Sequence, residues 1–294
     1  LKSALPALEK SARAMEDTSG EQASKLAAIG QASLELGDLD GAERAIRDSL
    51  EQREALLGRE HPQTQESVAL LALVLHHRGQ FEEAEQLYRE ACTLLPLDDD
   101  ESVHNVLVYR HNWAFCLLEL GREKEALELL RGVIDEQRQR FGERDEDLLT
   151  SENTLARWQL DNGQLDAALE TLERVVALRD EVSGRTHPDT LVARSNLAVS
   201  LTNKGRHAEA AGILFEVVEA RRELFGADDP STLLSMLNLG ALHSLAGDHA
   251  AAAEWLRKAF DGFESALGPL HEDTLLALSN LELESYLAEA LESN

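Results

Sequence analysis

The sequence is poor in several residue types, and each shortage excludes something. Aromatic residues make up 4% of the 294 positions and there are six prolines. So few large rings argue against a β-sandwich core and for close Ala/Leu helix packing, and so few prolines leave long uninterrupted helices open. The two cysteines, Cys92 and Cys116, form neither a CxxC pair nor a disulfide framework. That fits a reducing compartment, so cytoplasmic localisation is the expectation. No apolar run approaches the roughly 18 residues needed to span a bilayer. Cations are scarce too: 28 Lys and Arg stand against 55 Asp and Glu, for a net charge of −27. Such a surface repels phosphate backbones and anionic lipids. Neither nucleic acid nor membrane is therefore an expected partner, and a basic peptide or protein segment suits the charge better. The sequence starts at Leu1 without a Met or a signal-peptide pattern, so it reads as a fragment or a processed chain.

Chemical signatures are missing as well. There is no Walker loop, no GxSxG and no HExxH. His76 and His77 are adjacent, which splays them about 100° apart on a helix, and no Cys, His or Asp follows at ligand spacing. Asp98, Asp99 and Asp100 lack the following Gly and the distant Glu of a calcium loop, and read as a solvated acidic connection. The expectation is a protein that is not an enzyme and carries no metal or cofactor.

What is present is a period. Gly occurs at 37, 79, 121, 163, 205 and 247, each 42 residues after the last. Ala follows five residues later every time, at 42, 84, 126, 168, 210 and 252. A third register runs Gly58, Gly142, Gly184, Gly226 and Gly268, with Asp100 in place of glycine once. A fourth reads His61-Pro62-Gln63-Thr64, His187-Pro188-Asp189-Thr190, Asp229-Pro230-Ser231-Thr232 and His271-Glu272-Asp273-Thr274. Pro one residue into a helix costs no hydrogen bond, and the Asp and Thr beside it can cap free N–H groups. This register therefore marks the start of a first helix, A. The first glycine sits in the turn that ends it, the alanine opens a second helix, B, and the last glycine ends helix B. Apolar spacing at Leu191, Leu197, Ala198 and Leu201, then at Ala210, Ile213, Leu214, Val217 and Val218, predicts helices over roughly 188–203 and 207–225.

Ile29, Leu71, Trp113, Leu155, Leu197, Leu239 and Leu281 are equivalent, and the next residue is small at Gly30, Ala72, Ala114, Ala156, Ala198 and Gly240. Helices must approach closely there. The seventh copy has Glu282 at that place, which predicts a C-terminal capping helix over 271–294 with a polar outer face. Ala4, Leu8 and Glu9 align with Ile46, Leu50 and Glu51, so residues 1–18 read as helix B of a partial repeat. Six full repeats would lie between, over 19–270, and an uncapped N-terminal half repeat is a place for self-association.

The small residue at Ala198, the turn Gly205 and Ala210 resemble the tetratricopeptide repeat, in the 42-residue variety of kinesin light chains. The segment 187–226 is similar to such a repeat from end to end, and the composition is similar to bacterial members. The resemblance implies an all-α, right-handed superhelical solenoid of helix-turn-helix repeats whose A helices line a concave face. Three positions depart from it: Arg110, Glu152 and Arg194 stand where the family often has an aromatic. No heptad coiled coil of the kind that joins a light chain to its motor is present.

On that concave face the resemblance places Asn112, Asn196, Asn238 and Asn280, with Thr154 in one repeat. An amide offers donor and acceptor together and can pair with a peptide backbone without demanding a sequence. His111, Asn153, Arg157, Ser195 and Asn203 are expected on the same face. Arg53, Arg179 and Arg221 recur at one helix B position, where helix-end pairing with nearby Glu is favoured over contacts to a ligand carboxylate. The function expected is a protein-protein interaction scaffold that holds a peptide or partner protein in its groove. Two alternatives stay open: a cytoskeletal accessory protein docking along a bacterial tubulin-like filament, and a regulatory or sensor module of a larger signalling protein such as a Ser/Thr kinase.

Overall fold

The computed structural model describes residues 19–292. The half repeat expected over 1–18 lies outside them. The described residues form thirteen helices and no strand. Contacts divide the chain into two compact units, 1–142 and 143–294. The first holds α1 (Ser19–Glu35), α2 (Leu39–Leu57), α3 (Pro62–His77), α4 (Phe81–Leu94), α5 (Asp100–Glu119) and α6 (Glu123–Phe141). The second holds α7 (Glu146–Asp161), α8 (Leu165–Val182), α9 (Pro188–Asn203), α10 (His207–Phe225), α11 (Pro230–Leu245), α12 (His249–Leu267) and α13 (Glu272–Glu292). Within each unit the A helices before α13 pack on their own B helices, and each B helix packs on the A helix that follows it in that unit. The fold is an all-α array of helical hairpins, and α9 and α10 have the bounds expected from the apolar spacing.

The turn between hairpin helices needs a left-handed residue. Gly205 has φ +76°, its N–H donates to the Thr202 carbonyl at 2.9 Å, and the Arg206 N–H donates to the Leu201 carbonyl at 2.9 Å. These are the paired bonds of a Schellman motif, which satisfy the last free carbonyls of the A helix. The small register is explained by a close approach. A Cβ built on Gly240 of α11 would lie 2.7 Å from Leu256 Cγ of α12. Ala156 and Ala198 at the equivalent places are buried.

Three sequence expectations change in detail. The A helices are capped by the residue before Pro, not by the Asp and Thr after it. The His61 and His187 Nδ1 atoms accept from the N–H groups of Gln63 and Asp189 at 3.2 and 3.3 Å, and Asp229 Oδ1 accepts from that of Ser231 at 2.9 Å. The Thr64, Thr190 and Thr232 hydroxyls are buried without a partner among the described residues. The acidic connection is also more than solvated chain. Asp99 caps α5 by accepting from the Ser102 N–H at 2.7 Å, and hydrogen bonds from Ser102 hold its carboxyl below the usual range. Asp145 does the same for α7 through the Leu148 N–H at 2.8 Å. Aspartate thus replaces His-Pro in the two repeats that lack it. Third, the outer face of α13 is not polar throughout. Glu282 is exposed, but so are Leu275, Leu276, Leu283 and Tyr286.

Where the family often has an aromatic, ion pairs tie helices together instead. Arg194 of α9, 5% exposed, donates from Nε and Nη2 to Asp180 of α8 at 3.2 and 2.6 Å, and from Nη1 to Glu216 of α10 at 2.9 Å. Buried Glu152 of α7 pairs with Arg174 of α8. Arg110 of α5 pairs with Glu136 of α6 at 3.5 Å.

Candidate partner-binding groove

The second unit contains a groove of about 400 Å³, lined by Arg157 of α7, by one side of α9, by Leu214 and Arg221 of α10, and by α11. Its floor comes from the helical period. Val192 and Val199 lie seven residues apart on α9, and Leu234 and Ala241 repeat those positions on α11. Val192, Val199, Leu234 and Leu245 are exposed at 44, 44, 46 and 63%. Open aliphatic side chains on matched positions of consecutive A helices are what a groove-bound segment buries.

Five of the nine site residues expected from the sequence line this groove: Arg157, Ser195, Asn196, Asn203 and Asn238. Their settings differ. Asn203 and Asn238 are exposed, and their amides make no hydrogen bond among the described residues. Asn196 is buried and donates from Nδ2 to Asn153 Oδ1 of α7 at 3.1 Å. Ser195 donates to the Leu191 carbonyl one turn back at 2.8 Å. Arg157 is exposed and paired with Asp161 at 3.1 Å. Asn280, half-buried on α13, is not part of the lining.

His111 and Asn112 belong to α5 in the first unit. Both are half-buried, and Asn112 lies beside the buried Tyr88 phenol. Burial, and then the neighbouring His76, push the His111 imidazole down to about 4, so it is neutral at physiological pH. His76 stacks on Phe115 at a centroid distance of 4.7 Å, and its Nδ1 lies 3.9 Å from the Cys116 sulfur. Burial and the adjacent His77 lower it to about 4 as well. Burial pushes the Cys92 and Cys116 thiols up to about 12, which leaves neither as a thiolate nucleophile at neutral pH. No group of three His, Cys, Asp or Glu among the described residues could hold a metal ion. Among those same residues no helix is long and apolar enough to cross a membrane.

The recurring arginines act between hairpins. Arg53 Nη1 donates to the Ser67 hydroxyl at 3.0 Å and to the Gln63 carbonyl at 2.5 Å, and Arg221 Nη1 donates to the Ser235 hydroxyl at 2.6 Å and the Ser231 carbonyl at 3.0 Å. Each arginine thus clamps the first turn of the next A helix. Burial lowers both guanidinium pKa values, with Glu66 and Asp229 opposing. Arg179 reaches both its own hairpin and the start of α9. Its Nη2 donates to the Thr150 hydroxyl of its own hairpin at 2.6 Å, and Nη1 lies 3.5 Å from Asp189. Sequence reasoning anticipated helix-end pairing but not the hydroxyl and carbonyl partners. The signal that finds them is a serine fourteen residues after the arginine, at Ser67 and Ser235.

Helical hairpins at a 42-residue period, with an open groove along their A helices, define a tandem helical-repeat protein. The chain belongs to the tetratricopeptide repeat family, whose profile matches residues 21–96, 105–181, 160–214 and 189–265. Proteins of this family are generally non-enzymatic interaction scaffolds. No curated protein matches the chain at a significant level. Among solved structures it is similar to a Podosopora anserina protein of nearly identical TPR-like repeats, named for kinesin light chain. The identity is 28%, with 71% of this chain and 99% of that one covered and a TM-score of 0.57. BtubC (BKLC) from P. vanneervenii is similar at 20% identity, covering 79% and 92%, with a TM-score of 0.63. A Rap protein complexed with competence and sporulation factor is similar at 14%, covering 98% and 80%, with a TM-score of 0.60. The last two likenesses show the fold alone.

Proposed function

We propose that the chain is a protein-interaction scaffold whose second unit holds an extended segment of a partner protein in the groove between α9 and α11. The observation that carries this reading is the pairing of chemistries in one place. Exposed Asn203 and Asn238 sit beside the exposed aliphatic side chains of Val192, Val199, Leu234 and Leu245. The amides supply donor and acceptor for a peptide backbone, and the aliphatics supply pockets for its apolar side chains. Arg157 and Arg221 are engaged by Asp161 and by the start of α11, so backbone and apolar contacts dominate recognition. Asn196 contributes by fixing the wall through its bond to Asn153. The net charge of −27 favours a segment with basic flanks. The test is an unbiased pull-down compared with a V199D/N203A/N238A variant. All three side chains are exposed, so the variant keeps its helical circular dichroism. Loss of the captured partner supports the groove, and a variant that keeps every partner shows that binding happens elsewhere.

A further inference from the structure

The groove between α9 and α11 is one stretch of a surface that repeats by register. On α11, Leu234 and Ala241 stand two turns apart, about 10 Å along the helix, with Asn238 between them. Val192 and Val199 of α9 hold the same two places one period earlier. Leu276 and Leu283 of α13 hold them one period later, and both are exposed. Leu234 is just as open although α12 packs on α11, so this exposure belongs to the register and not to the place of α13 in the chain. Two aliphatic rows thus run across three A helices, with the exposed Asn238 amide between the rows on the middle helix. α9 and α11 line one groove and α11 contacts α13, so neighbouring rungs of each row stand about one helix diameter, about 10 Å, apart.

That spacing and that amide select the conformation of the occupant. An α-helix satisfies its own backbone groups and leaves Asn238 nothing to pair with. A β-strand returns to the same face every two residues, about 7 Å, and falls out of step with the rungs. A polyproline II helix returns every three residues, about 9 Å, and has no internal hydrogen bonds, so its backbone carbonyls stay free to accept from an amide. It carries three ridges of side chains. Two ridges can meet the two aliphatic rows while the third faces solvent. That third ridge lies over a chain of net charge −27, which favours Lys or Arg there. Resting on the groove reading above, we infer that the segment held across α9, α11 and α13 is a polyproline II stretch with a repeating triplet, apolar-apolar-basic, in which Pro sets the backbone. Val192, Leu234 and Leu276 take one apolar ridge, and Val199, Ala241 and Leu283 take the other. Asn238 pairs with a backbone carbonyl between them.

The probe is a fluorescein-labelled peptide of three Leu-Pro-Lys triplets, read by fluorescence anisotropy at physiological salt. One control of equal length alternates Leu and Lys, which gives the strand pattern with at least as much positive charge. A second control has Gly in place of Pro, which keeps the triplet and removes the preset backbone. The triplet peptide is expected to bind at least fivefold more tightly than either control. L234D and L283D, both at exposed positions, are each expected to weaken it fivefold or more with unchanged circular dichroism. The inference is overturned if the triplet peptide does not bind, if the alternating peptide binds as tightly, or if either variant keeps full affinity. The pull-down with V199D/N203A/N238A separates the two readings. If that variant loses its partner while the triplet peptide shows no preference, the groove stands and the polyproline II assignment falls. If that variant keeps every partner, the groove itself falls and this inference falls with it.

Discussion

The close approach of Gly240 to Leu256 is a quantitative test of how the hairpins are built. Leu256 is fully buried in α12, and Leu256→Ala removes it from the core of the second unit, at a cost of about 2–5 kcal/mol. Gly240→Val adds volume where even a Cβ stands 2.7 Å from Leu256 Cγ, which costs about 1–3 kcal/mol by overpacking and recovers a few tenths through better helix propensity. If the two positions face each other, the new side chain fills the space that Leu256→Ala empties. The double variant is then more stable than the sum of the single effects implies, by about 1–3 kcal/mol. Urea unfolding at equilibrium, followed by circular dichroism and by the fluorescence of the neighbouring Trp255, gives all four stabilities. Additivity within about 0.5 kcal/mol would mean that the two residues do not touch, and would refute the hairpin packing described above.

Two further expectations follow from the same contacts. Arg221→Met removes the clamp on the Ser231 carbonyl and the Ser235 hydroxyl and should cost about 1–3 kcal/mol in urea unfolding, whereas an unchanged midpoint would show that the clamp is ornamental. In the first unit, His76 and His111 are held down to about 4, against 6.5 for the free side chain. Above pH 6.5 both states are neutral and stability is full. Below it the unfolded chain takes up protons that the folded one refuses, so stability falls between about pH 6.5 and 4 and the dependence levels off below. H76Q/H111Q should flatten that slope in a pH series of urea unfolding curves, and a slope unchanged in the variant would contradict the assignment.

Much of the fold was legible because the period repeats the same constraints. Gly205, Ala210 and Pro188 bound α9 and α10 from sequence alone, since each has a backbone reason to stand where it does. The caps were misread because His, Asp and Thr all suit a helix start. Only geometry shows that His187 Nδ1 reaches the Asp189 N–H while the Thr190 hydroxyl turns inward. The asparagines show the limit most clearly. Asn196 and Asn238 are one period apart and equivalent in sequence, yet one is buried and the other exposed. The cause lies on the preceding A helix. Asn196 finds Asn153 there, and the place matching Asn153 for Asn238 is Ser195, whose hydroxyl is taken up by Leu191. A residue's own register cannot report what its neighbour in the adjacent repeat has to offer.

The most direct test of the groove is where a partner touches the chain. A photo-crosslinking amino acid placed at Val199 or Asn238 samples the α9/α11 groove, and one at Phe215 samples an exposed position on α10 outside the lining. The same partner should be trapped from positions 199 and 238 and not from 215. Trapping from 215 alone would contradict the account.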